Sequence, residues 1–488
     1  MVLNLRQAAR WIALSSLLTA AVSARADLFI EPYLQNPKTD EMTVIWWTET
    51  SEPASQVEYG SGFERIGTAS NELFTIPGHE TRYLHRAVVG SLNPAATYDY
   101  RVRSGADVSD NYTFTTAPVE HTGFHFVVIG DGRTDNDTVI ARHRAVTELA
   151  LQRDPDIAFG IGDMVYDGSD QHWTRFWRRV ATASDTTSPG SALASKVPYH
   201  LAVGNHEIYL AGTGYGGGNL DSTMTRFKAY CENPGNGSAT ADWEERYYVI
   251  RYGCATFIVL DTNNTSDDAH DNHVYLNDGS TPDWEPGSEQ YNWLVSQLRS
   301  AELNSAFTFV LGHPSPYTRG VHGAPSEAQS GWHLRALDPL FRTYGVDAVI
   351  TSHDHLVEHS LTGPPGFEAT MSLNDPANLN YLVQGNSGHS ARGAAAGWDT
   401  WMDIQENDSS PYYTTYFYDW MGTTLMSFLD VNIQALGGGD YQATFTTVRS
   451  DGHQADRFIL TRSLEASVPE PPGLVLFALV LVGLRRRR

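Results

Sequence analysis

Hydrophobic and polar positions divide this chain into two grammars. Between residues 27 and 117, apolar residues alternate with polar ones in short runs such as "MTVIWWT", "TYDYRV" and "NYTFTT", with no long helical period between them. In "TYDYRV" the alternation puts Tyr98, Tyr100 and Val102 on one face, the mark of a half-buried strand. A small antiparallel β-sandwich is expected over 27–117, with "APVEHTG" (117–123) as a linker. From Phe124 onwards continuous apolar runs take over: "FHFVVIG", "IAFGIG", "YHLAVG", "ATFIVL", "FTFVLG" and "VDAVIT". Runs of that kind belong to strands covered on both faces. Helical periods fall between them, over Val139–Gln152 and Glu289–Ser300, where Tyr291, Leu294, Val295 and Leu298 repeat at i, i+3, i+4, i+7. "TLMSFLDVNIQ", "YQATFTTV" and "DRFIL" close the pattern as terminal strands. An α/β domain is expected over 124–465.

The two ends follow neither grammar. Residues 1–26 carry Arg6 and Arg10, an apolar centre and Ala24-x-Ala26, which reads as a cleaved export signal. Residues 468–488 pair a Pro-rich break with an apolar run from Gly473 to Leu484 and four arginines. That run is too short to cross a bilayer comfortably; the arrangement resembles a bacterial sorting tail, with a membrane anchor as the alternative. Export to a bacterial periplasm, cell surface or exterior follows from both readings.

Charge narrows the partners. The chain has 33 basic and 57 acidic residues, a net charge of −24. Such a surface opposes a nucleic-acid backbone, and an anionic substrate would need local positive charge. Cys231 and Cys254 are the only two cysteines, and they read equally as one disulfide or two buried thiols. Gly-rich "GTGYGGG" (212–218) lacks the lysine and serine of a phosphate loop and reads as surface.

The chemistry lies where the apolar runs end. "VVIG" is followed by Asp131, "FGIG" by Asp163, "LAVG" by Asn205 and His206, "FVLG" by His313, and "AVITS" by His353 and His355. The carboxyl ends of strands in an open α/β sheet form its ligand crevice. Hard oxygens and imidazoles delivered there together suit a pair of ions such as iron, zinc or manganese.

The motifs "GDGR", "GDMVY", "GNHE", "VLGH" and "SHDH" resemble the five blocks of the metallophosphoesterases, and among these the purple acid phosphatases. "EPYLQNP" with a fibronectin III-like sandwich resembles that group's first domain, and Pro469–Glu470–Pro471 resembles the PEP-CTERM sorting tail. The resemblance implies an α/β/β/α sandwich behind the small β-domain. It also implies a ferric ion on Asp131, Asp163, Tyr166 and His355. Asp163 would be shared with a divalent ion (zinc, iron or manganese) on Asn205, His313 and His353. Tyr166 would replace the histidine that other metallophosphoesterases carry in the first block. His206 and His322 would face the substrate.

Arg133 stands where the group has glycine. It could meet a substrate phosphate, or pair with Asp135 or Glu207. Ser352 also replaces a glycine, and Asp354 reads as facing solvent or supporting the ligands. The implied activity is hydrolysis of small phosphomonoesters by hydroxide generated at the metal pair. Alternatives are diester or nucleotide hydrolysis, with "PYYTTYFYDWMG" (411–422) stacking a base, or surface adhesion with a vestigial site.

Overall fold

A computed structural model of the chain describes residues 28–75, 81–181, 190–211, 218–263, 282–324, 330–363, 372–375, 377–390, 392, 414–421 and 425–464. The expected signal and sorting tail lie outside them. So do 212–217 of the Gly-rich stretch, and 411–413 and 422 of the aromatic one, whose 414–421 form a strand.

The N-terminal domain is all β. One sheet orders strands Leu28–Gln35, Met42–Thr48, Arg82–Val89 and Glu72–Phe74; the other is built on Gln56–Tyr59 and Thr97–Ser104. "MTVIWWT" is buried throughout because both of its faces are covered. Met42, Val44 and Trp46 fill the sandwich core with Tyr100 and Val102. Ile45 and Trp47 face the opposite way, into the catalytic-type domain, where Trp47 stacks on Tyr230 at 4.5 Å. Tyr33 Oη donates to the Tyr230 carbonyl (3.0 Å) and Gln35 Nε2 to that of Tyr199 (2.9 Å), pinning the domains together. Tyr98 makes a tyrosine corner, its hydroxyl accepting from Asn93 N–H at 2.8 Å.

On the outer sheet Glu58 accepts from Arg101 Nε (2.6 Å) and Arg103 Nε (2.7 Å). The Arg103 hydrogen bond, with those of Arg101 and Gln56, outweighs burial and holds its carboxyl at about 2 instead of the ordinary 4.5. A depressed folded value means stabilisation that is complete above 4.5 and lost as pH falls through about 2. Glu58→Gln is expected to cost about 1 kcal/mol at neutral pH, since both arginines are partly exposed and screened. The difference from the unmodified protein should vanish between those two pH values, which urea unfolding across that range would check.

The second domain has four layers. A six-stranded sheet carries His125–Ile129, Ile157–Gly160 and Tyr199–Leu201 in parallel, continued by three antiparallel strands from 427 to 463. A seven-stranded sheet carries Ala255–Val259, Phe307–Leu311, Ala348–Thr351 and Leu379–Gln384 in parallel. Alternate residues face alternate layers. Phe126 and Val128 meet Phe257 and Phe309 between the sheets, with Phe126 edge-on to Phe257 at 4.8 Å. Val127 and Ile129 face the helices Asp137–Gln152 and Asp170–Ala181. On the far side Ile258, Val310 and Val349 pack on the helix Glu289–Asn304. The helix starts are capped by Asn136 and Ser288 side chains. Cys231 and Cys254 are separate buried thiols, in different core clusters. Among the described residues no helix is long and apolar enough to cross a membrane.

Candidate metal centre

The parallel strands of both sheets end at one edge, and the turns beyond them are strained in order to converge. Asp131 (φ 53°), Arg133 (53°), Asp163 (54°) and His353 (70°) all adopt left-handed backbone, which costs energy for non-glycine residues and clusters at functional sites. Gly162 has φ 89°, and a Cβ there would lie 2.4 Å from His313 Nδ1, so the second turn can close over the fourth only with glycine.

Two donor sets result. Asp163, His313 and His353 form one, and Asp131, Asp163 and His355 the other, each with ligand atoms within 4.8 Å of one another and all buried. Asp163 is common to both. Asn205 adds its Oδ1 to the first set, 2.9 Å from His313 Nε2, which is also 3.2 Å from Asp163 Oδ1 and 3.1 Å from His353 Nδ1. In the second, His355 Nε2 is 3.4 Å from Asp131 Oδ1.

These residues fit cations rather than one another. Asp131 Oδ1 is buried without a hydrogen-bond partner, an expensive arrangement unless an ion answers it. His313 is oriented by Nδ1 against the Ile161 carbonyl (3.0 Å) and Ser352 Oγ (2.9 Å), which turns its Nε2 lone pair inward. Burial should depress the His313 pKa, yet Asp163, Asp131 and Glu207 raise it to about 9. Burial would raise Asp163, but His206 and His313 hold it well below the carboxylate range.

The other residues expected at the site are also drawn in. Arg133 is buried, pairs with Asp135 (3.0 Å) and reaches within 3.6 Å of Asp163 Oδ2. It also donates through Nη1 to His206 Nε2 at 2.7 Å, while His206 Nδ1 faces the Tyr166 carbonyl. Glu207 is not its partner: that carboxylate accepts from the backbone N–H groups of Asp163, Met164 and Gly204 at 2.8, 2.8 and 2.7 Å. Burial, then Asp163, pushes Glu207 up to about 7. Tyr166 is half-buried beside this group, its ring 6.1 Å from that of His206, with the Arg133 guanidinium carbon 5.5 Å from its centroid.

His322 is a buried residue, with its ring 4.1 Å from that of His353. Asp354 does not face solvent. It is buried and accepts from His322 N–H, because the 318–322 loop folds over it. Ser352, a small residue for glycine in the sequence motif, supplies the hydroxyl that orients His313. No motif marked His389 or Arg392. His389 packs its ring, tilted by 54°, 4.1 Å from that of His355, and Arg392 Nη1 lies 3.1 Å from His322 Nε2.

Comparison with known proteins agrees with this geometry. Residues 30–116 match the N-terminal domain of purple acid phosphatases, and 124–357 match the calcineurin-like phosphoesterases. The chain is 25% identical over 426 residues to a probable inactive purple acid phosphatase of Arabidopsis thaliana, covering 79% of this chain and 63% of that one. It is 27% identical over 348 residues to acid phosphatase type 7 of Mus musculus, covering 67% and 68%. A purple acid phosphatase structure from yellow lupin seeds shares the fold, with TM-score 0.64 and 21% identity over 91% of this chain and 77% of that one. With both domain families matched in order along it, the chain belongs to the calcineurin-like phosphoesterases, of the purple acid phosphatase type.

Proposed function

We propose that this protein is an exported binuclear-metal phosphatase acting on small phosphomonoesters. The observation that carries the reading is the pair of buried donor sets sharing Asp163. A site that had lost its function would not keep both filled at the cost of four left-handed residues. Asp131, Asp163 and His355, with Tyr166, would hold one ion. The phenolate of Tyr166 is a hard donor that favours ferric iron there. Asp163, Asn205, His313 and His353 would hold the divalent ion. When bound, such a pair polarises the phosphoryl oxygens and makes water a nucleophile near neutral pH.

The chain supplies the rest. Arg133 is positioned by Asp135, so its remaining N–H groups present a planar donor face to a phosphoryl oxygen. His206 is oriented through Nδ1–H on the Tyr166 carbonyl, which leaves the Nε2 lone pair to accept from Arg133. When a substrate oxygen takes the Arg133 N–H, the Nε2 lone pair is freed to take a proton from solvent, and the imidazolium so formed gives that proton to the leaving alkoxide. Export would rest on residues 1–26, and any surface attachment on 468–488.

The test is turnover of a chromogenic phosphomonoester against the matching diester by metal-replete protein, from acid to neutral pH. The monoester should be preferred at least about tenfold in kcat/KM, with activity lost to a chelator and restored by metal. A diester preference would overturn the substrate class, and no turnover with two ions bound would overturn the reading.

A further inference from the structure

The segment after strand Leu379–Gln384 forms a wall of the site that lies outside all five motifs. Ser387 N–H donates to the Gly130 carbonyl (3.1 Å), His389 N–H to that of Asp131 (3.2 Å), and Arg392 N–H to that of His355 (2.6 Å). Three backbone bonds thus fasten it to the first and fifth metal turns. Its side chains then reach inward: His389 against His355, and Arg392 against His322, whose ring rests on His353.

Arg392 differs from the site's other guanidinium. Arg133 is compensated by Asp135 at 3.0 Å and approaches Asp163 at 3.6 Å. Arg392 is half-buried and forms no salt bridge with a carboxylate among the described residues; its side chain meets a neutral-capable imidazole instead. Asp354 lies within reach of its charge but not in contact with it, and a cation placed one imidazole away from a metal-ligand histidine would be repelled by the ions held there. An anion between them reverses that repulsion.

We propose that Arg392 is a substrate-binding residue that takes a non-bridging phosphoryl oxygen jointly with His322, and that it favours dianionic monoesters over monoanionic diesters. The proposal rests on the phosphatase reading above. A monoester carries a second negative charge near neutral pH, and a diester in the same place lacks it. The planar fork of arginine suits two such oxygens better than a lysine ammonium does.

The experiment uses the full metal-replete chain with Arg392→Gln and Arg392→Lys. It measures inorganic phosphate affinity by calorimetry, the monoester-to-diester ratio of kcat/KM, and metal content. Arg392→Gln should weaken phosphate binding about tenfold or more and lower the ratio by a similar factor, with both ions retained. Arg392→Lys should fall between it and the unmodified protein. Phosphate affinity and ratio both within about twofold of the unmodified protein would overturn the proposal. So would loss of metal, which would make Arg392 a support of the ligand turns. If the unmodified protein hydrolyses neither ester, the phosphatase reading fails, and the phosphate titration alone still decides for or against Arg392.

Discussion

Asp163→Asn should lower monoester kcat/KM by a factor on the order of 10³ or more and leave the protein unable to hold two ions. The substitution keeps the shape of the side chain and removes the only charge common to both donor sets. The Asn oxygen can still accept from His206 N–H, as Asp163 Oδ1 does at 2.9 Å, so the turn should survive. The other terminal atom becomes an N–H₂ donor. If it takes the Oδ2 position it points at Arg133 Nη1, 3.6 Å away, so a cation meets a donor where it had met a carboxylate. Metal binding requires deprotonated anionic ligands, and ion affinity falls with the loss of one. Elemental analysis of the purified variant beside its turnover checks both halves. Two ions retained with activity within tenfold of the unmodified protein would show that Asp163 is not the shared ligand.

How far the site was legible from sequence depends on how each residue reaches it. Asp131, Asp163, Asn205, His313, His353 and His355 follow apolar runs directly. Parallel register then carries all of those run-ends to one edge, as the pairings of His125–Ile129 with Ile157–Gly160 and of Phe307–Leu311 with Ala348–Thr351 show. A reading of strand ends therefore finds them. His389 and Arg392 come by topology instead. Strand Leu379–Gln384 inserts between Ala348–Thr351 and Val357–Gly363, parallel to the first and antiparallel to the second. That insertion returns the chain to the metal edge, and nothing in the local pattern of "GNSGHSAR" announces it. Asp354 was left open between solvent and support of the ligands for a related reason: the 318–322 loop that covers it is distant in sequence. For the two cysteines the sequence left the pairing open, and burial in different clusters decides it. The β-sandwich was easier, because alternation and the Tyr98 corner are local signals. The double burial of "MTVIWWT" was not, since only the second domain explains why Ile45 and Trp47 are covered.

Glu207→Ala is expected to cost roughly 3 kcal/mol or more, although Glu207 binds neither ion in the reading above. The carboxylate is fully buried and receives three short backbone N–H bonds, from Asp163, Met164 and Gly204. Those donors belong to two different turns, so the side chain ties the second metal turn to the third. Alanine would leave all three N–H groups buried without an acceptor, each at a cost of about 1–3 kcal/mol, softened only by relaxation or an entering water. The left-handed backbone of Asp163, φ 54°, would lose the contact that holds it there, so metal affinity should fall together with stability. Glu207→Gln should be intermediate, because its oxygen can still accept while its N–H₂ must face at least one backbone donor. Urea unfolding midpoints of the metal-free and metal-loaded proteins separate the two effects. A Glu207→Ala midpoint equal to that of the unmodified protein, in both forms, would mean that the turns are self-supporting and that Glu207 only fills space between them.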